Sequence, residues 1–314
     1  MTTFEQVARQ SDGHEGWEDD YEPSPLAPSG NLRRRQAVSR LAESVATAAA
    51  VLAVVVLGLV LYTVISRGAP VLSLSFLTSA PPAVPGISGG GIGPEIVGTA
   101  VIVLVATVIS MPIAILVALF VTEYATSSAA RVIKLALDVL NGIPSIVLGI
   151  FVFGLIVVRI HHQAAIAGSL ALGILMLPVI ARAAQEILLR IPPTIREGTD
   201  ALGVRRWRST LTVILPAAVG GILTATVLAL ARAAGETAPL LFVSSVYDPS
   251  QTSINLFGQA LPNIPVYIFT VAEDADPTGY ARAWGAAFVL MAFILVVNIA
   301  ARALHSRTNA ARYR

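Results

Sequence analysis

RIPPTIREGTDALGVRRWRSTLTVILP, residues 190–216, is a polar interval between two long apolar runs. It contains a short helix with legible ends. Pro192 and Pro193 stop whatever helix precedes them. Thr194 is the expected N-cap, and Glu197 three residues later completes a capping box. Ile195, Thr199 and Leu202 fall on one face at i, i+4 and i+7. Gly203 supplies the left-handed residue that ends the helix, and basic residues follow from Arg205 onward. Two turns are unstable alone in water, so this helix must dock. It either lies on a membrane surface as an amphipathic connector or sits against a partner.

The flanking runs establish that a membrane is involved. Of 314 residues, 55% are hydrophobic and 13% charged, where soluble domains average about 25% charged. Mean hydropathy is +0.75. Six apolar segments, near 43–65, 96–122, 133–158, 164–181, 211–242 and 284–303, are long enough to span a bilayer. The first begins some forty residues into the chain and reads as a permanent anchor, not a cleaved signal peptide. Before it, the tail is acidic, then proline-rich, then basic (NLRRRQAVSR, 31–40), and its first thirty residues have the composition of disorder.

Basic residues orient the spans. With the N-terminus inside, 17 Arg and Lys fall on inside segments and three, Arg67, Arg159 and Arg282, on outside ones. That bias places both termini, and the 190–216 interval, in the cytoplasm. One arginine, Arg232, is left within a span.

Several chemistries are excluded. There is no cysteine, so no disulfide, thiol nucleophile or cysteine-bound zinc. The four histidines lack metal-ligand spacing, and no metal site is expected. The glycine-rich outside stretch PPAVPGISGGGIGP, 81–94, lacks the phosphate-loop lysine and any dinucleotide register; it reads as a turn into a helix started by Pro94 and Glu95. The second outside loop, 243–283, carries INLFGQALPNIPVYIFTV, which reads as packed on the bundle or interfacial. No internal repeat supports an inverted-repeat carrier.

Three charged or broken places remain. Arg232 and Glu236, in ALARAAGETAPLL (229–241), are four apart and so can pair on one face. The pair either anchors the outer interface or serves a polar path. Arg182 and Glu186 repeat the spacing at the end of the fourth span, where Arg182 either snorkels to the interface or lines that path. Pro144, after Asn141 and Gly142 and before Ser145, breaks the third span, as a packing kink or at a translocation path. Asp138 lies near the inner end of that span, at the cytoplasmic interface.

The residues also carry a family likeness. Glu197-Gly-Thr-x-x-x-Gly203, nine residues, then Val213-x-Leu215-Pro216 resembles the EAA loop of ABC importer permeases, whose usual form is E-A-A-x-x-x-G-x9-I-x-L-P. The chain departs at Gly198, Thr199 and Val213. GGIGPEIVGT (90–99), NGIPSIVLGIFVFG (141–154), LMLPVIARAAQEILLRIP (175–192) and LARAAGETAPLLF (230–242) are together similar to PstA-type permeases of high-affinity phosphate importers. The similarity covers roughly 90–303; at Gln185 the chain has an amide where family members often carry an acid.

The resemblance implies an all-α integral membrane fold, a six-span type-1 ABC permease bundle with a cytoplasmic coupling helix. Residues 1–42 would be a largely disordered cytoplasmic tail, 43–306 the permease domain (core about 94–303), and 307–314 a basic tail. It implies the permease subunit of an ATP-driven phosphate importer in the bacterial inner membrane, forming half of a pore. A C-type permease would supply the other half, with a dimeric ABC ATPase and an extracytoplasmic phosphate-binding protein. Thr194, Ile195, Glu197, Leu202, Gly203 and Arg205 would engage the ATPase. Arg232, Glu236, Arg182, Asn141 and Ser145, with the break at Pro144, would line the substrate path. A guanidinium suits phosphate oxygens and stays charged, and Glu236 would keep anion binding weak enough for release. The chain would hold no cofactor and catalyse nothing itself, ATP and magnesium residing on the ATPase, and no nucleic-acid partner is expected. A permease for sulfate or molybdate and an ATP-independent transporter are the alternatives.

Overall fold

The computed structural model describes residues 32–82, 86–87, 89–245, 254–273 and 276–310. The acidic stretch of the expected N-terminal tail lies outside them, as do residues 311–314. The chain divides into two units, Met1–Leu61 and Tyr62–Arg314. Helix α1, Leu32–Gly68, begins well before the expected span and is apolar on all sides through its middle, as a membrane helix is.

The second unit holds α2 (Leu74–Thr78), α3 (Gly93–Tyr124), α4 (Ser127–Gly142), α5 (Ser145–Ile160), α6 (Ala165–Leu189), α7 (Pro193–Ala201), α8 (Arg206–Ala233), α9 (Ala238–Val243), α10 (Ile264–Glu273) and α11 (Pro277–Ala310). No strand occurs among the described residues. Helices α1, α3, α6, α8 and α11 are long and apolar enough to cross a membrane, and the α4–α5 pair makes a sixth element.

Two expected spans need correction. The third, 133–158, is two helices bent by 96°. Ile143 is extended (φ −70°, ψ 128°), the conformation that a following proline imposes, so Pro144 separates two helices instead of kinking one. The fifth, 211–242, ends at Ala233; Gly235 and Glu236 turn, and α9 is a separate short helix. By contrast, Pro112 and Pro178 lie inside unbroken α3 and α6.

Helices α3 and α6 form the centre. Gly98, Ile102, Ala106, Ser110, Ala114 and Ala118 are buried along α3 at strict four-residue spacing. On α6, Ala167, Gly168, Ala171, Gly173, Ala181 and Ala184 are buried. Water drives no association between helices in lipid, so small residues that allow close backbone approach do the work. Two glycines are required by such approaches. A Cβ on Gly98 would lie 1.9 Å from the Pro262 carbonyl oxygen, and one on Gly149 2.7 Å from Pro239 Cα. The loop segment 260–267 is therefore packed on the bundle, with Ala260, Leu261, Ile264, Val266 and Tyr267 buried.

At the start of α3, Pro94 and Glu95 stand where expected, and Glu95 is fully buried. Asp276 caps α11. Its carboxylate accepts the Thr278 hydroxyl (2.6 Å) and the backbone N–H groups of Thr278, Gly279 and Gly86 (each 3.0 Å). These bonds, the Thr278 hydroxyl first, hold its pKa down at about 2, below the ordinary 3.8. A depressed carboxylate pKa stabilises the fold above the unfolded-state value, and the contribution disappears as pH falls through the folded value. The melting-temperature difference between wild type and Asp276→Ala is therefore expected to be constant from pH 7 to pH 4 and to close as pH approaches 2. A difference that already vanishes at pH 5 would contradict this cap.

Candidate functional site

Where α4, α5, α6 and α8 meet, a cavity of about 230 Å³ opens. Its polar lining is Asn141, Ser145, Arg232 and Glu236, with Pro144 between the first two; Met176 and Val179 of α6 and Ala229 and Ala233 of α8 are among its apolar lining. Three features of the local sequence produce it. The break at Pro144 turns the chain so that the end of α4 and the first residue of α5 face the same space. The end of α8 at Ala233 puts Arg232 in a helical last turn, where a cation complements the helix dipole. The turn at Gly235, closed by Gly235 N–H to Arg232 C=O (3.1 Å) and Glu236 N–H to Ala233 C=O (3.1 Å), brings Glu236 back to the same wall.

The Arg232–Glu236 pair is loose. Nε to Oε1 is 3.9 Å, and the side chains are 72% and 24% exposed. A pair this open contributes little to stability. The guanidinium keeps most of its donor fork for another group. The start of α5 adds to this wall: its first residue, Ser145, lines the cavity, and helix N-termini carry unsatisfied N–H groups that favour anions.

Arg182 lies elsewhere. It is not among the cavity lining. It forms an ion pair with Asp138 and donates to the Lys134 carbonyl (2.9 Å), so it ties α6 to α4. Val179 and Asn141 line the cavity one helical step away along α6 and α4. The expected partner by spacing was Glu186; the closer carboxylate across the helix interface is Asp138.

The interval 190–216 holds the predicted short helix with a different start. Pro192 is the N-cap and Pro193 the first helical residue, so Thr194 lies inside α7 and the capping box does not form. Proline is preorganised for that position, and it displaces threonine from the cap. Gly203 has φ +67°, the left-handed end that was expected. Ile195 and Leu202 are 37% and 81% exposed, Glu197 is exposed, and Arg205 is the exposed N-cap of α8. Thr199 instead faces inward: its hydroxyl donates to Arg196 C=O (2.8 Å) and accepts from Ser209 (2.8 Å). The apolar edge thus points away from the bundle, ready for a docking surface. Nothing lies within 4 Å of a Cβ added at Gly198. Gly198→Ala is expected to stabilise the protein by about 0.5–1 kcal/mol, seen as a small rise in melting temperature.

Two residues were missed by sequence reading. Glu123, at the end of α3, is 4% exposed and pairs with Arg196 of α7 at 2.9 Å. Arg196 had read as one more basic residue of the loop. Its position one after Ile195, about 100° around the helix from the apolar edge, was the available signal.

The comparisons with known proteins agree with this architecture. Residues 110–310 match the family described as binding-protein-dependent transport system inner membrane component. The phosphate transport system permease protein PstA of Yersinia pestis is 34% identical over 249 residues, 79% of this chain and 83% of that protein. The PstA of Xylella fastidiosa (strain Temecula1) is 35% identical over 87% of this chain and 94% of its own length. PstA 1 of Mycobacterium tuberculosis is 37% identical over 68% and 69%. Among solved structures, a chain of the inward-facing MetNI methionine ABC transporter superposes with a TM-score of 0.53 at 19% identity, over 69% of this chain and 94% of that one, which is a likeness of fold. A multi-pass helical membrane protein, this chain belongs to the binding-protein-dependent transport system inner membrane components and, within them, to the PstA family of phosphate transport system permeases.

Proposed function

We propose that this chain is a permease subunit of an ATP-driven importer of inorganic phosphate and forms half of its translocation pore. The observation that carries the reading is the cavity wall holding Arg232, whose side chain is 72% exposed and only loosely met by Glu236, together with the start of α5. A planar fork of donors suits phosphate oxygens, and Glu236 offsets the charge so that the anion leaves again. An arginine does not by itself choose among tetrahedral anions. The relatives from Yersinia, Xylella and Mycobacterium, all phosphate permeases by name, favour phosphate over sulfate or molybdate.

An exposed arginine on an open wall calls for a second wall, which a C-type permease supplies as the heterodimer partner. The exposed Ile195 and Glu197 of α7 and its C-cap Leu202 dock on a dimeric ABC ATPase, which binds ATP and magnesium; this subunit holds no cofactor and performs no covalent chemistry. An extracytoplasmic binding protein delivers phosphate. The 17-to-3 bias in basic residues supports a cytoplasmic side for α7 and both termini, in a bacterial inner membrane whose lipid meets the outward apolar faces.

The test is uptake of radiolabelled phosphate and sulfate by cells lacking this chain and other phosphate routes, with and without the plasmid-borne gene. Restoration of phosphate but not sulfate uptake is expected. Phosphate uptake independent of the chain would overturn the reading, and uptake that persists without the partner ATPase would favour an ATP-independent transporter.

A further inference from the structure

We propose that Glu123 and Arg196 form a mechanical linkage that makes α7 move as one body with the adjoining ends of α3 and α6, so that motion imposed on α7 reaches the cavity helices. The inference rests on the permease reading and adds a positioning pair to it.

The geometry is a three-way joint at one guanidinium. Arg196 donates from Nε and Nη2 to the Glu123 carboxylate (2.9 to 3.4 Å) at the end of α3. It also donates from Nη2 to Leu188 C=O (3.0 Å) and from Nη1 to Ile191 C=O (2.8 Å), where α6 ends. The Leu188 carbonyl also accepts the Ile191 N–H (3.3 Å), so Arg196 adds further donors at and just beyond the C-terminus of α6 while neutralising a buried carboxylate of α3. Five N–H donors in a fixed plane allow one side chain to do both. Next to this joint, Ser209 of α8 donates to Thr199 of α7 (2.8 Å). The Tyr124 hydroxyl donates to Thr210 (3.3 Å), and Arg206 stacks 5.7 Å from the Tyr124 ring centroid.

A multiply bonded ion pair with a buried carboxylate and a half-buried guanidinium is not needed merely to hold two helices, since apolar packing does that at lower desolvation cost. It does supply directional bonds that keep three elements in one geometry under load. α3 and α6 carry the central packing, and α6 lines the cavity through Leu175, Met176 and Val179. A displacement of α7 is therefore delivered to the cavity wall without a flexible joint between them.

The test uses the full transporter reconstituted in vesicles, with phosphate delivered per ATP hydrolysed as readout. Glu123→Gln and Arg196→Gln are expected to assemble, to hydrolyse ATP and to deliver about tenfold less phosphate per ATP. Arg196→Lys, which keeps the charge but loses the fork to two carbonyls, is expected to fall between these and wild type. An unchanged ratio in assembled variants would reduce the pair to a structural contact and overturn the proposal. A second measurement does not depend on variants that fold poorly. The subunit has no cysteine, so spin labels at Asp200→Cys on α7 and Leu116→Cys on α3, both exposed, report the distance between the two helices. That distance is expected to stay the same with and without ATP when the pair is intact, and a change in it would overturn the linkage. Wild-type phosphate uptake in the same vesicles tests the parent reading separately.

Discussion

Arg232→Gln is expected to lower phosphate uptake about 100-fold, the loss that follows from removing charge-assisted hydrogen bonds worth roughly 1.5–3 kcal/mol to a bound anion. The protein should remain folded and assembled. The Arg232 side chain is 72% exposed and its ion pair with the half-buried Glu236 is long, so truncation removes little stability. An unchanged melting temperature with lost uptake separates this residue from a structural anchor. Glu236→Gln should behave differently. With the offsetting charge gone, the guanidinium holds the anion longer, so maximal uptake falls while half-saturation moves to lower phosphate. If both variants lose uptake with the same rise in half-saturation, the role given to Glu236 is wrong. If Arg232→Gln transports normally, the cavity is not the path.

Much of this was legible because bilayer thickness converts directly into sequence length. Four of six apolar segments became continuous helices near their expected places, and a fifth did so as far as Ala233; the short polar helix at 193–201 stood out by the proline stop before it and its glycine end, although it starts at Pro193 and not after Thr194. What was hidden depended on where a helix stops inside an apolar run. Hydrophobicity resumes at Ala238–Val243 after Arg232, Gly235, Glu236 and Thr237, so one long span and a span that ends before the charged pair both fitted the letters; α8 ends at Ala233. That ending decides the site, because it lets Glu236 reach Arg232 around a turn. The 96° bend at Ile143–Pro144 was half-visible: the proline was plain, but a kink and a full break have the same letters. Partners across helices were hidden altogether. Arg182 chose Asp138, 44 residues earlier in the chain, over Glu186 in its own helix. Arg196 met Glu123 across 73 residues. Periodicity reports which face a residue occupies, and not which element that face meets.

Gly98 is the sharpest case of such a hidden contact, and Gly98→Ala is expected to destabilise the protein by about 3 kcal/mol, the upper part of the range for overpacking. The added methyl would sit 1.9 Å from the Pro262 carbonyl oxygen, 3.0 Å from its carbon and 3.3 Å from Leu261 Cβ. The obstacle is backbone, so no rotamer change relieves it. The 261–264 segment would have to retreat from α3, and its position is held by several bonds. Ile264 N–H donates to Thr99 Oγ1 (2.9 Å), Leu261 N–H to Ser244 Oγ (3.2 Å), and Asn263 Nδ2 to Ser244 C=O (3.0 Å). Thr99, Ser244 and Asn263 are all buried, so a retreat leaves polar groups without partners as well as opening space. Gly154→Ala serves as the control in the same bundle, because nothing lies within 4 Å of its added Cβ. Thermal melts of the detergent-purified chain should show a large drop for Gly98→Ala and none for Gly154→Ala. Equal melting temperatures would mean that the 261–264 segment slides freely over α3, and its tight docking would then be no part of what holds the bundle together.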